Sequence, residues 1–139
     1  MQPITNDIYE RVVTAKMYID DNFHESLDLD QISRQAFLSR FHFHRLFTRI
    51  YRKTPHQHLT NIRLQRAKAL LEKEGISITQ VCSAVGFESL GSFSTLFRKH
   101  HGYAPQYYRN IAYLKKKLAY EQPKRFIPHC FIDSYKLDK

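Results

Sequence analysis

The sequence predicts an all-α protein, with two helix-turn-helix units joined by a long linker helix. Three observations carry that expectation. Apolar residues recur at three- and four-residue steps over most of the chain, the period of a helix with one buried face. No stretch alternates apolar and polar residues as a half-buried strand would. A block of about 27 residues also occurs twice. Superimposing Phe47 on Phe97, an offset of 50, pairs Phe43 with Phe93, Leu46 with Leu96, Ser39 with Ser89 and Pro55 with Pro105. Ahead of the serines the offset is 49, so that Gln31-Ile32 pairs with Gln80-Val81 and Ala36 with Val85. The two blocks therefore differ by one residue in their turn.

The elements follow in order. Ile8, Val12, Ala15 and Ile19 line one side of a helix over residues 7–22. Thr5 or Asn6 can cap its start, and Glu10 lies early, where the helix dipole favours an acid. Residues 25–28 form a polar connection. The first unit, 28–51, has a short helix (28–36), a turn at Phe37-Leu38 and a longer helix (39–51) with Ser39 at the N-cap. Pro55 then opens a linker helix over 55–74, at the first-turn position where proline is tolerated. Leu59, Ile62, Ala67, Leu70 and Leu71 fall on one side of it, Arg63, Arg66, Lys68 and Lys73 elsewhere. Gly75 can stop it. The second unit, 77–101, repeats the plan: a short helix (77–85), a turn at Gly86-Phe87-Glu88 and a longer helix (89–101) capped by Ser89. Pro105 opens a last helix, which residues 110–120 can extend before Pro123 and Pro128 break it. In the C-terminal extension, 110–139, Phe126, Ile127, Phe131, Ile132 and Tyr135 are too apolar for a solvated tail. They either pack back on the domain or form a contact site for another protein.

Composition narrows the function. With 139 residues, 42% hydrophobic and 25% charged, the chain has the make-up of one globular domain with a tail. No apolar run approaches the roughly 18 residues needed to cross a bilayer. The first ten residues have neither the basic nor the apolar region of an export signal. Two cysteines, Cys82 and Cys130, make no disulfide framework, so a cytoplasmic protein with reduced thiols is expected. The formal net charge is +9, which favours an anionic partner. That charge is unevenly placed: residues 1–50 carry net −1, 51–109 net +6 and 110–139 net +4.

A helix that enters the major groove needs an apolar face to anchor it and a polar face to meet base edges. In the first unit Phe43, Leu46, Phe47 and Ile50 anchor. Arg40, Phe41, His44 and Arg45 remain as base-reading candidates, since arginine can bond guanine O6 and N7 and an aromatic ring can touch a thymine methyl. In the second unit Phe93, Leu96 and Phe97 anchor, and Leu90, Gly91, Ser92, Ser94 and Thr95 are the candidates. These are small, which lets the helix sit deep. Candidates for phosphate contact are Ser39, Arg49, Lys53, Arg63, Ser89, Arg98 and Lys99. Lys115, Lys116 and Lys117 read as a solvated face. The histidine pairs His42/His44 and His56/His58 are two apart, about 200° around a helix, and cannot chelate one ion. No metal site or cofactor is expected. There is no phosphate-cradling glycine loop, nucleophile elbow or paired-carboxylate motif, so an enzyme is the least supported class.

The run Gly86-Phe87-Glu88-Ser89, with Phe93, Phe97-Arg98, Gly102, Pro105 and Tyr108-Arg109, strongly resembles the signature of AraC/XylS-type transcription regulators. Arg63-Leu64-Gln65-Arg66-Ala67 and Leu70-Leu71 resemble that family's linker helix. The likeness covers roughly residues 8–109. It implies a seven-helix domain whose two recognition helices enter successive major grooves, about 34 Å apart, on one face of the DNA. It implies asymmetric promoter sites and, often, an activator that touches RNA polymerase. The chain itself reads as a monomer on double-stranded DNA with no small-molecule effector evident. Family contacts fall at positions matching Phe41, His44 and Arg45, and Leu90, Gly91, Ser92, Ser94 and Thr95. Three departures stand out. Phe37 replaces a frequent turn glycine, at a cost of roughly 1–2 kcal/mol if φ is positive there. Leu90 and Gly91 replace polar residues, which shifts the second unit toward backbone and shape recognition. The chain has no room for the separate sensing domain of most members, so it resembles a short stand-alone member or a fragment. Two other readings remain: an architectural DNA binder without sequence choice, and a protein-interaction module acting through the apolar tail.

Overall fold

The computed structural model describes residues 2–128 and contains, among them, seven α-helices and no strand. They are α1 (Asn6–Asn22), α2 (Leu29–Gln35), α3 (Arg40–Tyr51), α4 (Pro55–Leu71), α5 (Ile78–Ala84), α6 (Leu90–His101) and α7 (Pro105–Glu121). A 3-10 turn, Pro123–Phe126, follows and packs on α7. Of the apolar tail residues, Phe131, Ile132 and Tyr135 lie outside the described residues, as does Cys130. No described helix is long and apolar enough to cross a membrane.

Helix starts are written locally. Thr5, rather than Asn6, caps α1, accepting from the Ile8 amide. Asp28, Thr54 and Ser77 each form a reciprocal capping box with the glutamine three residues on, Gln31, Gln57 and Gln80. Each box satisfies two amides that a helix start leaves without partners. Ser39 and Ser89 cap the two longer helices through the amides of His42 and Ser92. Pro55 and Pro105 stand in the first turns of α4 and α7. At its other end α4 is shorter than expected. It stops at Leu71, not Glu74, and Gly75 (φ +82) lies in the following turn instead of capping the helix.

Both turns inside the units follow one hydrogen-bond pattern. In the first, the Phe37 amide donates to the Arg34 carbonyl and the Leu38 amide to the Ser33 carbonyl. In the second, Gly86 donates to Ser83 and Phe87 to Cys82. This is the Schellman termination, which requires a left-handed residue after the cap. Gly86 takes it at φ +95 and Phe37 at φ +54. The first turn is thus built on a left-handed phenylalanine, at the roughly 1–2 kcal/mol that such a residue costs. Glu88 is the extra residue of the second turn.

Two cores result. Val12, Ala15 and Ile19 of α1, Ile32 and Ala36, Phe43, Leu46 and Phe47 of α3, and Leu59 of α4 form the first. Leu64, Ala67 and Leu71 of α4, Val81, Cys82 and Val85, and Phe93 and Phe97 of α6 form the second, with Tyr103 and Tyr108 packed against it. Helix α4 belongs to both. Its apolar residues therefore do not lie on one side, as the sequence suggested: Leu59 and Ile62 serve the first core, and Leu64, Ala67, Leu70 and Leu71 the second.

Candidate nucleic-acid interface

The anchoring faces bury Phe43 and Phe47 in the first unit and Phe93 and Phe97 in the second, all with no exposed surface. Their burial turns the opposite side of each longer helix outward. On α3, Arg40, Phe41 and Arg45 are exposed and His44 is half-buried. Phe41 is 70% exposed, so it is no part of the core. The Arg40 guanidinium lies over its ring, 5.1 Å from the centroid, and 3.8 Å from the Asp30 carboxylate. On α6, Leu90, Gly91, Ser92 and Thr95 are exposed and Ser94 is half-buried. Leu90 is 43% exposed. The two outward faces differ in kind: one carries arginines, an aromatic ring and an imidazole, the other hydroxyls, a glycine and one leucine.

The phosphate candidates separate into two groups. Arg98 and Lys99 are exposed near the end of α6, and Lys53 is half-buried just after α3. The hydroxyl oxygens of Ser39 and Ser89 accept capping bonds from the amides of His42 and Ser92, and both serines are exposed at the N-termini of α3 and α6, the end of a helix that favours an anion. Arg49 donates from Nη1 to the Gln2 carbonyl at 2.9 Å. Arg63, expected to contact phosphate, is held by the protein itself. Its Nε donates to the Phe23 carbonyl and its Nη2 to the Glu25 carbonyl, both at 2.7 Å. Its guanidinium also lies over the Phe87 ring at 5.8 Å. Burial lowers its pKa, and Glu88 opposes that. Arg63 thus ties the end of α1 to the turn before α6, across the boundary between the cores.

A second polar group was missed by sequence reasoning. His58 is buried on α4, and its Nε2 lies 2.8 Å from Asp20 Oδ1 on α1. Lys16 pairs with the other Asp20 oxygen at 2.8 Å. Burial lowers the His58 pKa, and the Asp20 bond and charge oppose this. In the second unit, His101 sits against the Leu64 carbonyl of α4 at 3.2 Å, its pKa also lowered by burial. No signal in the sequence separates these two histidines from the six others, because their partners are 38 and 37 residues away. Among the described residues no group of three or more His, Cys, Asp or Glu is arranged to hold a metal ion.

Comparison with known proteins places this architecture. The model of a helix-turn-helix domain family matches residues 32–111. The probable transcriptional regulator LumQ of Photobacterium leiognathi is 34% identical over 98 residues, 70% of this chain and 40% of that one. The chain spans between 30% and 48% of the length of the first curated relatives it matches. Among solved structures, a transcriptional regulator with an AraC-type DNA-binding domain from Chromobacterium violaceum is 30% identical at a TM-score of 0.69, covering 75% of this chain and 93% of that one. The DNA-binding domain of the global transcriptional factor AdpA, solved in complex with a target DNA, is 26% identical at a TM-score of 0.69, covering 81% and 96%. Helix α1 precedes the family match yet supplies three residues to the first core.

Proposed function

Because the chain belongs to the AraC/XylS helix-turn-helix family of DNA-binding transcription regulators, we propose that it is a sequence-specific regulator of promoters, acting in the cytoplasm as a monomeric activator. Helices α3 and α6 enter successive major grooves on one face of the duplex, about one helical turn apart. Arg40, Phe41, His44 and Arg45 read bases. Leu90, Gly91, Ser92, Ser94 and Thr95 bring α6 close to the groove, where shape and backbone contact dominate. Ser39, Arg49, Lys53, Ser89, Arg98 and Lys99 hold phosphates together with the helix N-termini. RNA polymerase is the protein partner. The observation that carries this reading is the repeated plan itself: two helices with matching caps and anchoring phenylalanines, mounted on opposite ends of one helix. That AdpA's domain was solved on a target DNA supports it.

Selection from random double-stranded DNA tests the proposal. The expected result is one asymmetric motif in two parts, and binding that weakens steeply with salt. Recovery of bound DNA without a motif would instead favour an architectural binder. On the selected site, Arg45→Ala should cost ~1–3 kcal/mol and relax one base position. An equal loss on every sequence would make Arg45 a phosphate contact.

A further inference from the structure

The turn before α3 carries a side chain that the fold does not use. Phe37 sits at φ +54 and is 82% exposed. A left-handed phenylalanine is disfavoured by the approach of its Cβ to the backbone, and a ring left in water recovers nothing by burial. The matching residue of the second unit is glycine, which takes the same conformation without that penalty. Strain that packing does not reward points to a use outside the fold. The neighbours show where. Two residues on, Ser39 caps α3. In the first turn of α3, Phe41 faces solvent beneath the Arg40 guanidinium. Two solvent-facing rings thus flank the cap of the first recognition helix, and both belong to the end of the helix that meets base edges in this kind of docking.

The geometry points to Phe37 as a further DNA-contacting residue of the first unit. Its ring covers apolar surface at the edge of the major groove, a thymine methyl or a deoxyribose face. The inference rests on the DNA-binding reading of α3. Bound DNA removes the ring from water, so the strain carried by the free protein is offset only in the complex.

The test measures two quantities on the full chain: thermal stability, and affinity for the site selected from random DNA. Phe37→Gly and Phe37→Asn are compared with wild type, since both residues accept the left-handed conformation. Both variants should unfold at higher temperature, by roughly 2–6 °C. Both should bind DNA more weakly, by roughly three- to tenfold. The salt dependence should stay the same, because no charge is lost. Replacing the site's thymines one at a time by deoxyuridine then identifies the surface. A position where wild type loses affinity and Phe37→Gly does not marks a methyl contact, and absence of such a position marks a sugar contact. Higher stability with affinity within twofold of wild type would overturn the inference and leave the DNA-binding reading standing. Lower stability in both variants would overturn it too, since the ring would then be serving the fold. A wild-type chain that recovers no DNA from the pool would end both readings.

Discussion

The turns ahead of α3 and α6 share one hydrogen-bond pattern, yet phenylalanine fills the left-handed position of the first and glycine that of the second. The difference lies in what each turn faces. A Cβ on Gly86 would stand 3.0 Å from the carbonyl oxygens of Phe23 and His24 and 3.1 Å from Arg63 Nε. The second turn is packed under the end of α1, where a side chain would have to push these neighbours back in addition to taking the left-handed conformation. Phe37 points into solvent, and its position asks only that the backbone cost be met. The ends of the longer helices repeat the contrast. Arg52 closes α3 at φ +61 and Gly102 closes α6 at φ +88. A Cβ on Gly102 would meet nothing within 4 Å. A left-handed glycine can therefore be favoured by close neighbours as well as by its backbone, or by its backbone alone, and tertiary packing decides which.

The largest expected effect tests that distinction. Gly86→Ala should destabilise by ~2–4 kcal/mol, from left-handed strain plus overlap with two backbone oxygens. Gly102→Ala should cost only ~1–2 kcal/mol, from strain alone. Equal losses in urea unfolding would remove the role assigned to the packed turn. Arg63→Ala comes next. It strips two carbonyls of a charged donor and should cost ~2 kcal/mol of stability. The logarithmic salt slope of DNA binding should not change, whereas a phosphate contact would lower it by about one.

A smaller effect probes the outward faces. A Cβ on Gly91 would lie 3.8 Å from Ser89 Oγ, an ordinary contact. Gly91→Ala should therefore stabilise α6 by ~0.5–1 kcal/mol, seen as a higher Tm. DNA affinity should fall nevertheless, because the added methyl separates α6 from the groove. Unchanged affinity would place the second helix away from the duplex.

The gentlest perturbation is pH, and it separates the two cores. His58 and His101 both have pKa values below the ordinary 6.5, by burial first. Each binds its proton more readily in the unfolded chain. Their contribution is intact above pH 6.5 and is lost as pH falls through 6.5 toward the folded values. Urea unfolding should show stability declining across that interval. His58→Gln should flatten part of the decline through the first core, and His101→Gln another part through the second. Asp20, whose pKa is lowered on balance although burial itself raises it, acts only near and below 3.8. A stability profile that is level from pH 7.5 to 5 would contradict the burial of both rings.

Local information accounts for much of the fold. Caps at Thr5, Asp28, Ser39, Thr54, Ser77 and Ser89 mark helix starts because a side chain reaches an amide only three residues away. The anchoring phenylalanines follow from helical spacing. The outward residues of α3 and α6 follow by complement, and all of them are exposed or half-buried. The C-terminal end of α4 is less legible, since Gly75 suggests a stop at Glu74, three residues beyond the true one.

By itself, then, the sequence determined the number and order of helices, the doubled unit and the faces that turn outward, since each depends on residues within a turn or two of one another. Tertiary structure alone decided that Arg63 is a brace, that α4 divides its apolar residues between two cores, that His58 is buried and His101 half-buried, and that Gly86 is closely packed while Phe37 is presented to solvent. The physical reason is the nature of the partners. Arg63 and Gly86 meet backbone carbonyls of Phe23, His24 and Glu25. Every residue has a carbonyl, so no residue type advertises the contact, and only the folded chain brings these groups together.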